Sequence, residues 1–386
     1  MTSGLDVLIV GGGLAGSMAA LRLASAGRRV TLVEKSRAAH HKVCGEFLSV
    51  ESLHYLEQQG ISVPALGGVP IRSVRLAARD VVTEAELPFA AYSLTRRCLD
   101  EHLLQRAAQA GADVLRGVAV TSLAREQGGW LARLQDGREL RANDALLATG
   151  KHDLRGWPRP AGTQRGLVGF KMYFRLSPEQ QAALGSAVEL TLFPGGYAGL
   201  QPVEDGAANL CLLIHTNRLR TLPVGWPAVL AHSTKYATLL ARRLQGAEAL
   251  LAAPLAASQI PYGHVQRDAQ AGLWRVGDQA AVIPSFCGDG MAIALHSAAL
   301  ASQCLLAGQS APQFQRRLHG QLASRIRLAT RLSQILVSLP QVAGLVRVVP
   351  ALLPRIASIT RIPRSALLTE AECGRIDFSQ RERSLP

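Results

Sequence analysis

The stretch His40–Glu46, HHKVCGE, crowds two imidazoles, an ammonium, a thiol and a carboxylate into one short loop. Three chemistries use such a set: metal ligation, a reactive thiol, or a flap laid over a cofactor. A metal site needs three or four ligands in fixed geometry. No second cluster in the sequence backs His40, His41 and Cys44, so no metal is expected. The other cysteines stand at 98, 211, 287, 304 and 373, and no pair has Cys-x-x-Cys spacing. That pattern speaks against a zinc knuckle or a secreted disulfide framework and fits a reducing cytoplasm. Cys44 and Cys287 have a plainer alternative as small packing residues, and His41 as an ordinary surface-loop residue.

Glycines carry the second signal. Gly11, Gly13 and Gly16 form Gly-x-Gly-x-x-Gly between the apolar run LDVLIV and the small-residue segment SMAALRLASAG, and RRVTLVEK follows with Glu34 near its end. In a strand–turn–helix–strand unit the first glycine makes the tight turn. The second lets a pyrophosphate approach the backbone, and the third lets helix pack on strand. The helix N-terminus then turns its positive dipole end to the phosphates, and Glu34 accepts from ribose hydroxyls. A later element, RVGDQAAVIPSFCGDGM, sets Gly277 and Asp278 after a strand and Gly288 and Gly290 before a long helix. A plain nicotinamide enzyme has no use for it, whereas a flavin does. Asp278 can bond the ribitol, and amides near Gly290 and Met291 can stabilise negative charge on the reduced ring. FAD is therefore the expected cofactor. The strand end at Gly150, in ALLATG, should lie beside the first glycine loop.

The elements that must position these groups read as an α/β chain. After the first βαβ unit come a short helix at 50–59, then an amphipathic helix, TRRCLDEHLLQRAAQAG, running into a strand near Val114. Three antiparallel strands, VAVTSLARE, GWLARLQD and RELRANDALLAT, precede Gly150. Beyond it LVGFKMYFRL, AVELTLF, YAGLQPVE and ANLCLLIH read as an antiparallel sheet, with Met172 and Phe174 on one face and Tyr173 on the other. One helix is expected over GWPAVLAHSTKYATLLARRLQ and another over GMAIALHSAALASQCLLAG. The expected division is a discontinuous FAD-binding domain, 1–165 and 262–310, a substrate domain, 166–261, and a basic helical segment, 311–386. At 386 residues two packed units are the natural expectation.

Net charge is +14, and from 311 to 368 there are nine arginines and no acidic residue. Leucine, isoleucine and valine are interleaved there, but aromatics for base stacking are scarce, so nucleic acid is not an expected partner. Two readings stay open: packed helices with snorkelling arginines, and peripheral contact of 311–368 with an anionic membrane surface. The N-terminal apolar run follows no basic region and is not a signal peptide. No stretch offers about 20 unbroken apolar residues for a spanning helix.

VGGGLAG with Glu34, TRRCLD, VGDQAAVIPSFCGDGM and above all KVCGE resemble the flavoprotein superfamily of p-hydroxybenzoate hydroxylase, the geranylgeranyl reductases and the flavin-dependent halogenases. KVCGE is similar to the Lys-Pro-Cys-Gly-[Gly/Glu] motif of the geranylgeranyl reductases. GGYAGLQPVEDGAANLCL resembles their Gly-Tyr-x-Trp segment, matching at Tyr197, Pro202 and Asn209, with Gly199 at the tryptophan. The resemblance implies a glutathione-reductase-type FAD-binding domain with an antiparallel-sheet substrate domain. It implies a nucleotide site of Gly11, Gly13, Ala15, Gly16, Glu34 and Lys35, with Arg96, Val118 and Gly150. Cys44, Gly45, Asp278, Gly288, Gly290 and Met291 would surround the flavin, with Cys44, Glu46 and Tyr197 as catalytic residues; Glu46 has the alternative of fixing the loop by hydrogen bonding. The implied function is an FAD-dependent oxidoreductase of biosynthetic metabolism acting on a lipophilic small molecule. It would use hydride transfer to a double bond or hydroxylation through a flavin C4a-hydroperoxide. A halogenase-like enzyme and a non-catalytic flavin-binding module are the alternatives. With no second dinucleotide motif, NAD(P)H, a reduced flavin or a ferredoxin-type protein would serve as transient reductant.

Overall fold

The computed structural model describes residues 5–338, 352–369 and 372. The strand Leu5–Val10 pairs in parallel with Val30–Glu34 on one side and Glu139–Leu147 on the other. Asp113–Arg116 extends the sheet beyond Val30–Glu34, and Leu273–Arg275 pairs with Glu139–Leu147, both in parallel. Both faces of Leu5–Val10 are covered, which is why it reads as a continuous apolar run. Val7 and Ile9 pack under helices, while Leu8 and Val10 pack under the antiparallel strands Val120–Glu126 and Gly129–Leu134. Helices Leu14–Ser25, Arg96–Gln109 and Gly290–Leu306 form the helical layer. The chain returns to this first sheet with Leu273–Arg275.

The second sheet has nine strands. Leu167–Arg175, Ala187–Phe193, Gly196–Pro202 and Ala208–His215 join it in antiparallel register. A long hairpin, Val69–Ala78 and Val81–Ser93, also belongs to it, and Val69–Ala78 pairs in parallel with Ala187–Phe193. The sheet thus draws on chain from both sides of the expected division at 165/166. Met172 and Phe174 pack beneath the helices Trp226–Tyr236 and Thr238–Arg243, which replace the single helix read from the sequence. The break falls at Ala237, with φ −120° and ψ 82°. Lys171 and Tyr173 take the opposite face, toward the His40–Glu46 loop.

The helix Ala311–Ser338 buries Phe314, Leu318, Leu322 and Ile326 in the first core. The short helix Leu352–Ile359 leads into a segment whose Ile362, Ala366 and Leu368 also enter that core. The rest of the expected 311–386 segment, residues 339–351, 370–371 and 373–386, lies outside the described residues. Among the described residues no helix is long and apolar enough to cross a membrane.

Candidate functional site: a nucleotide cleft joined to an apolar cavity

A cleft of about 490 Å³ opens at the carboxyl ends of the parallel strands, lined there by Val10, Glu34, Ala148 and Val276. This is where open α/β sheets bind ligands. Gly11 sits at φ +106°, and a Cβ on it would lie 2.5 Å from the Ala148 carbonyl oxygen. A Cβ on Gly16 would lie 1.8 Å from the Gly11 carbonyl oxygen, so Gly16 acts by letting the helix close on the turn. Gly13 differs. A Cβ there would meet only the side-chain tips of Arg96 at 3.4 Å, Lys42 at 3.5 Å and Asp100 at 3.9 Å. Its backbone is bare toward the cleft and flanked by two cations, which suits a diphosphate.

Arg96 reaches Asp100 with two bonds, 2.6 and 2.9 Å, and Lys42 shares the same carboxylate at 2.7 Å. Burial works against the charge on Asp100, yet Arg96 and Lys42 hold it below the usual carboxylate range. Two cations on one anion leave positive charge for a ligand. Glu34 accepts from the Gly12 amide at 2.7 Å and the Ser36 amide at 2.8 Å. Against the pull of burial, the Ser36 and Gly12 amides and then Lys42 keep it ionised. Ala15, Lys35, Val118 and Gly150 line the same cleft, as do Asp278, Gly290 and Met291 from the second glycine element. These groups are those an FAD needs: a bare amide turn with cations for phosphate, a held carboxylate for ribose, and a helix N-terminus at Gly290–Leu306.

The His40–Glu46 loop lies between this cleft and the second sheet. Glu46 is fully buried, 2.6 Å from Lys171 Nζ. It also accepts from the Tyr173 hydroxyl at 2.8 Å and the Arg96 amide at 2.8 Å. Burial pushes its carboxyl up against the pull of Lys171. The Lys171 ammonium, the Tyr173 hydroxyl and the Arg96 amide on its carboxylate tie Glu46 to the second sheet and to the helix Arg96–Gln109. Lys171 Nζ also donates to the Cys44 carbonyl at 3.1 Å, and Asn209 Nδ2 to the Gly45 carbonyl at 2.9 Å. Cys44 then faces both the cleft and the neighbouring cavity. A Cβ on Gly45 would meet nothing within 4 Å, so that residue borders open space. His41 packs against Tyr173 with the rings tilted by 53° and centroids 4.6 Å apart. Burial, then the charges of Lys171, Arg97 and His40, depress it to about 4, so it is neutral at pH 7.

The neighbouring cavity, about 260 Å³, is walled by Val74, Leu76, Leu190 and Leu213 of the second sheet and by Leu332, Ile335 and Leu336 of the helix Ala311–Ser338. Tyr197, Gly45 and Gly288 line it rather than the cleft. The two spaces share Val43, Cys44, Lys151, Asp278, Gly290 and Met291 as a common wall. Lys151, absent from the sequence-based site, donates to the Val43 carbonyl at 2.9 Å and lies 3.8 Å from Asp278. Arg361 is a second such residue. It pairs with Glu51 at 2.7 Å and Asp289 at 3.1 Å, tying the C-terminal segment to the second glycine element. The one available signal for Lys171 was a lysine inside an apolar strand, since a buried charge requires a partner.

Residues 4–144 match the family model described as "FAD binding domain". Among curated proteins, the chain is 33% identical over 190 residues to a probable electron transfer flavoprotein-quinone oxidoreductase of Escherichia coli. That match covers 45% of this chain and 44% of the relative, so the chain spans less than half of that protein's length. It is 26% identical over 328 residues to the menaquinone reductase of Mycolicibacterium smegmatis, covering 80% of this chain and 78% of that one. Solved structures that share the fold include a brominase and a reductase-like protein. The flavin-dependent brominase Bmp2 superposes with a TM-score of 0.76 at 16% identity, over 99% of this chain and 100% of that chain. A geranylgeranyl bacteriochlorophyll reductase-like protein from Thermoplasma acidophilum gives 0.70 at 21% identity, over 98% of both chains. The glycine turn, paired cations and second glycine element gathered on one cleft agree with the FAD binding domain matched over residues 4–144, in a fold shared with flavin-dependent proteins.

Proposed function

We propose that this chain is an FAD-dependent reductase of a lipophilic small molecule, in biosynthetic metabolism. The observation that carries the reading is the common wall: an apolar cavity and a nucleotide cleft meet at Cys44, Lys151, Asp278, Gly290 and Met291. Bound in the cleft, FAD supplies a two-electron redox centre. The chain's own residues do the rest. Arg96, Lys42 and the amides around Gly13 take the diphosphate, and Glu34 takes the ribose. The N-terminus of Gly290–Leu306 offers amides where negative charge gathers on reduction. The flap, pinned by Glu46 and Lys171, sets Cys44 at the junction and excludes water from it. Reduction is favoured over oxygenation by the relatives whose names describe quinone oxidoreduction and menaquinone reduction. Electrons would come from NAD(P)H, a reduced flavin or a ferredoxin-type protein docking transiently. The arginine-bearing face of the helix Ala311–Ser338, beside the cavity's Ile335 and Leu336, would rest on an anionic membrane surface and take substrate from it.

The test is an anaerobic one. FAD-loaded protein is photoreduced and mixed with a detergent-dispersed isoprenoid quinone, and return of the yellow colour is timed against the same mixing with oxygen. Reoxidation faster with quinone, giving quinol, is expected. A product carrying an oxygen atom from O₂ would replace this reading with oxygenation.

A further inference from the structure

We propose that Tyr197, Gly199 and Gln201 form a head-group site for a flat ring bearing carbonyl or hydroxyl oxygens, attached to an apolar chain. This rests on the reading above that the apolar cavity receives the substrate. The three residues alternate along the strand Gly196–Pro202, so they share one face, and all three line the cavity. Tyr197 and Gln201 are each 3% exposed. Gln201 Nε2 is buried without a hydrogen-bond partner among the described residues, and the Tyr197 hydroxyl, toward which the Phe286 amide is directed, donates its own proton to none of them. Such groups are rare in folded proteins unless a ligand or water completes them. Both can donate, and burial keeps the tyrosine protonated by pushing its hydroxyl well up. The ligand must therefore bring oxygen acceptors.

Gly199 stands between the two donors. A Cβ there would meet Leu190 Cδ2 at 3.6 Å and the Cys211 carbonyl at 3.7 Å, ordinary contacts, and a larger side chain would project into the cavity. The glycine thus leaves a slot in which a ring can lie flat on the sheet with an oxygen toward each donor. The remaining wall is mostly carbon, and it continues past Leu332 and Leu336 to Ile335, which is 43% exposed. An apolar chain leaves by that side. A pure hydrocarbon of the same shape would fill the slot but leave both donors unpaired, which weakens binding.

Calorimetric titration of the oxidised, FAD-loaded protein with menadione and with 2-methylnaphthalene tests the site. Wild type should bind menadione about tenfold or more tightly than the hydrocarbon. Gln201→Leu should erase most of that preference without weakening the hydrocarbon. Gly199→Trp should abolish binding of both, with FAD content and Tm unchanged. Equal affinities in the wild type, no binding of either probe, or an unchanged preference in Gln201→Leu would overturn the proposal. No turnover is needed, so a protein that binds menadione as expected yet passes it no electrons would fail the reductase reading alone.

Discussion

Glu46 holds a left-handed backbone position, φ +61°, and buries a carboxylate against the ammonium of Lys171. A residue in that conformation is strained unless its surroundings fix it, and here Lys171, Tyr173 and the Arg96 amide all do so. Removing one partner of a buried pair leaves the other charge uncompensated, at a cost of roughly 3–5 kcal/mol. Glu46→Gln should therefore lower the denaturation midpoint sharply and loosen FAD. The double variant Glu46→Gln with Lys171→Met should recover most of the loss, because no bare charge remains. If the double variant is no more stable than the single one, the pair is not the anchor. Cys44 makes the contrasting case. It lines both the cleft and the cavity, so Cys44→Ala should keep FAD and Tm and lower turnover. Unchanged kinetics would reduce it to packing. From sequence alone both residues belonged to one motif; what separates them is Lys171, more than a hundred positions away, whose approach no local pattern reveals.

At the scale of elements, the βαβ unit and the second glycine element were legible because each is local: a glycine spacing, a strand before it, a helix after it. The hairpin Val69–Ser93 was not. Its second strand alternates between exposed and half-buried positions and contains Pro88, which demotes a run to an edge strand. The C-terminal segment was legible as basic and helical, but not as to what it packs against. That Arg361 turns inward to Glu51 and Asp289 depends on packing against the helix Val50–Glu57 and the second glycine element, both far back in the chain. This contact yields a pH prediction. Burial, opposed by Arg361 and reinforced by Glu51, lifts Asp289 from 3.8 to about 7. Between those values the folded protein keeps a proton that the unfolded chain has released, so stability falls as pH rises through that window. Asp289→Asn removes the penalty. It should raise Tm relative to wild type at pH 8 and give no gain near pH 4. Destabilisation at pH 8 would mean that the aspartate is ionised and well paired with Arg361.

For the whole molecule, the charge asymmetry and the apolar cavity coincide at one surface. Arg327, Arg331 and Ile335 are exposed and lie four residues apart on the helix Ala311–Ser338, hence on one stripe. Ile335 is also part of the cavity wall, and Ile359, on the neighbouring helix, is 41% exposed. A basic stripe ending in exposed aliphatic side chains beside an apolar cavity matches the chemistry of an anionic bilayer surface: arginines for headgroups, isoleucines for the acyl boundary. Each arginine near such a surface contributes about 1 kcal/mol, screened within a Debye length. The wild-type protein should therefore float with phosphatidylserine-containing vesicles and not with neutral phosphatidylcholine, and the association should fall with added salt. Arg327→Glu with Arg331→Glu should weaken it at least tenfold while leaving FAD content and the reduction of a water-soluble quinone unchanged, because neither side chain lines the cleft or the cavity. Truncation before 352 is the poorer experiment: it removes Arg361 and Leu368, which hold the flavin-side loop and the core. Equal flotation of the wild type and the double variant would remove the membrane from the account and leave the arginines as solvated surface.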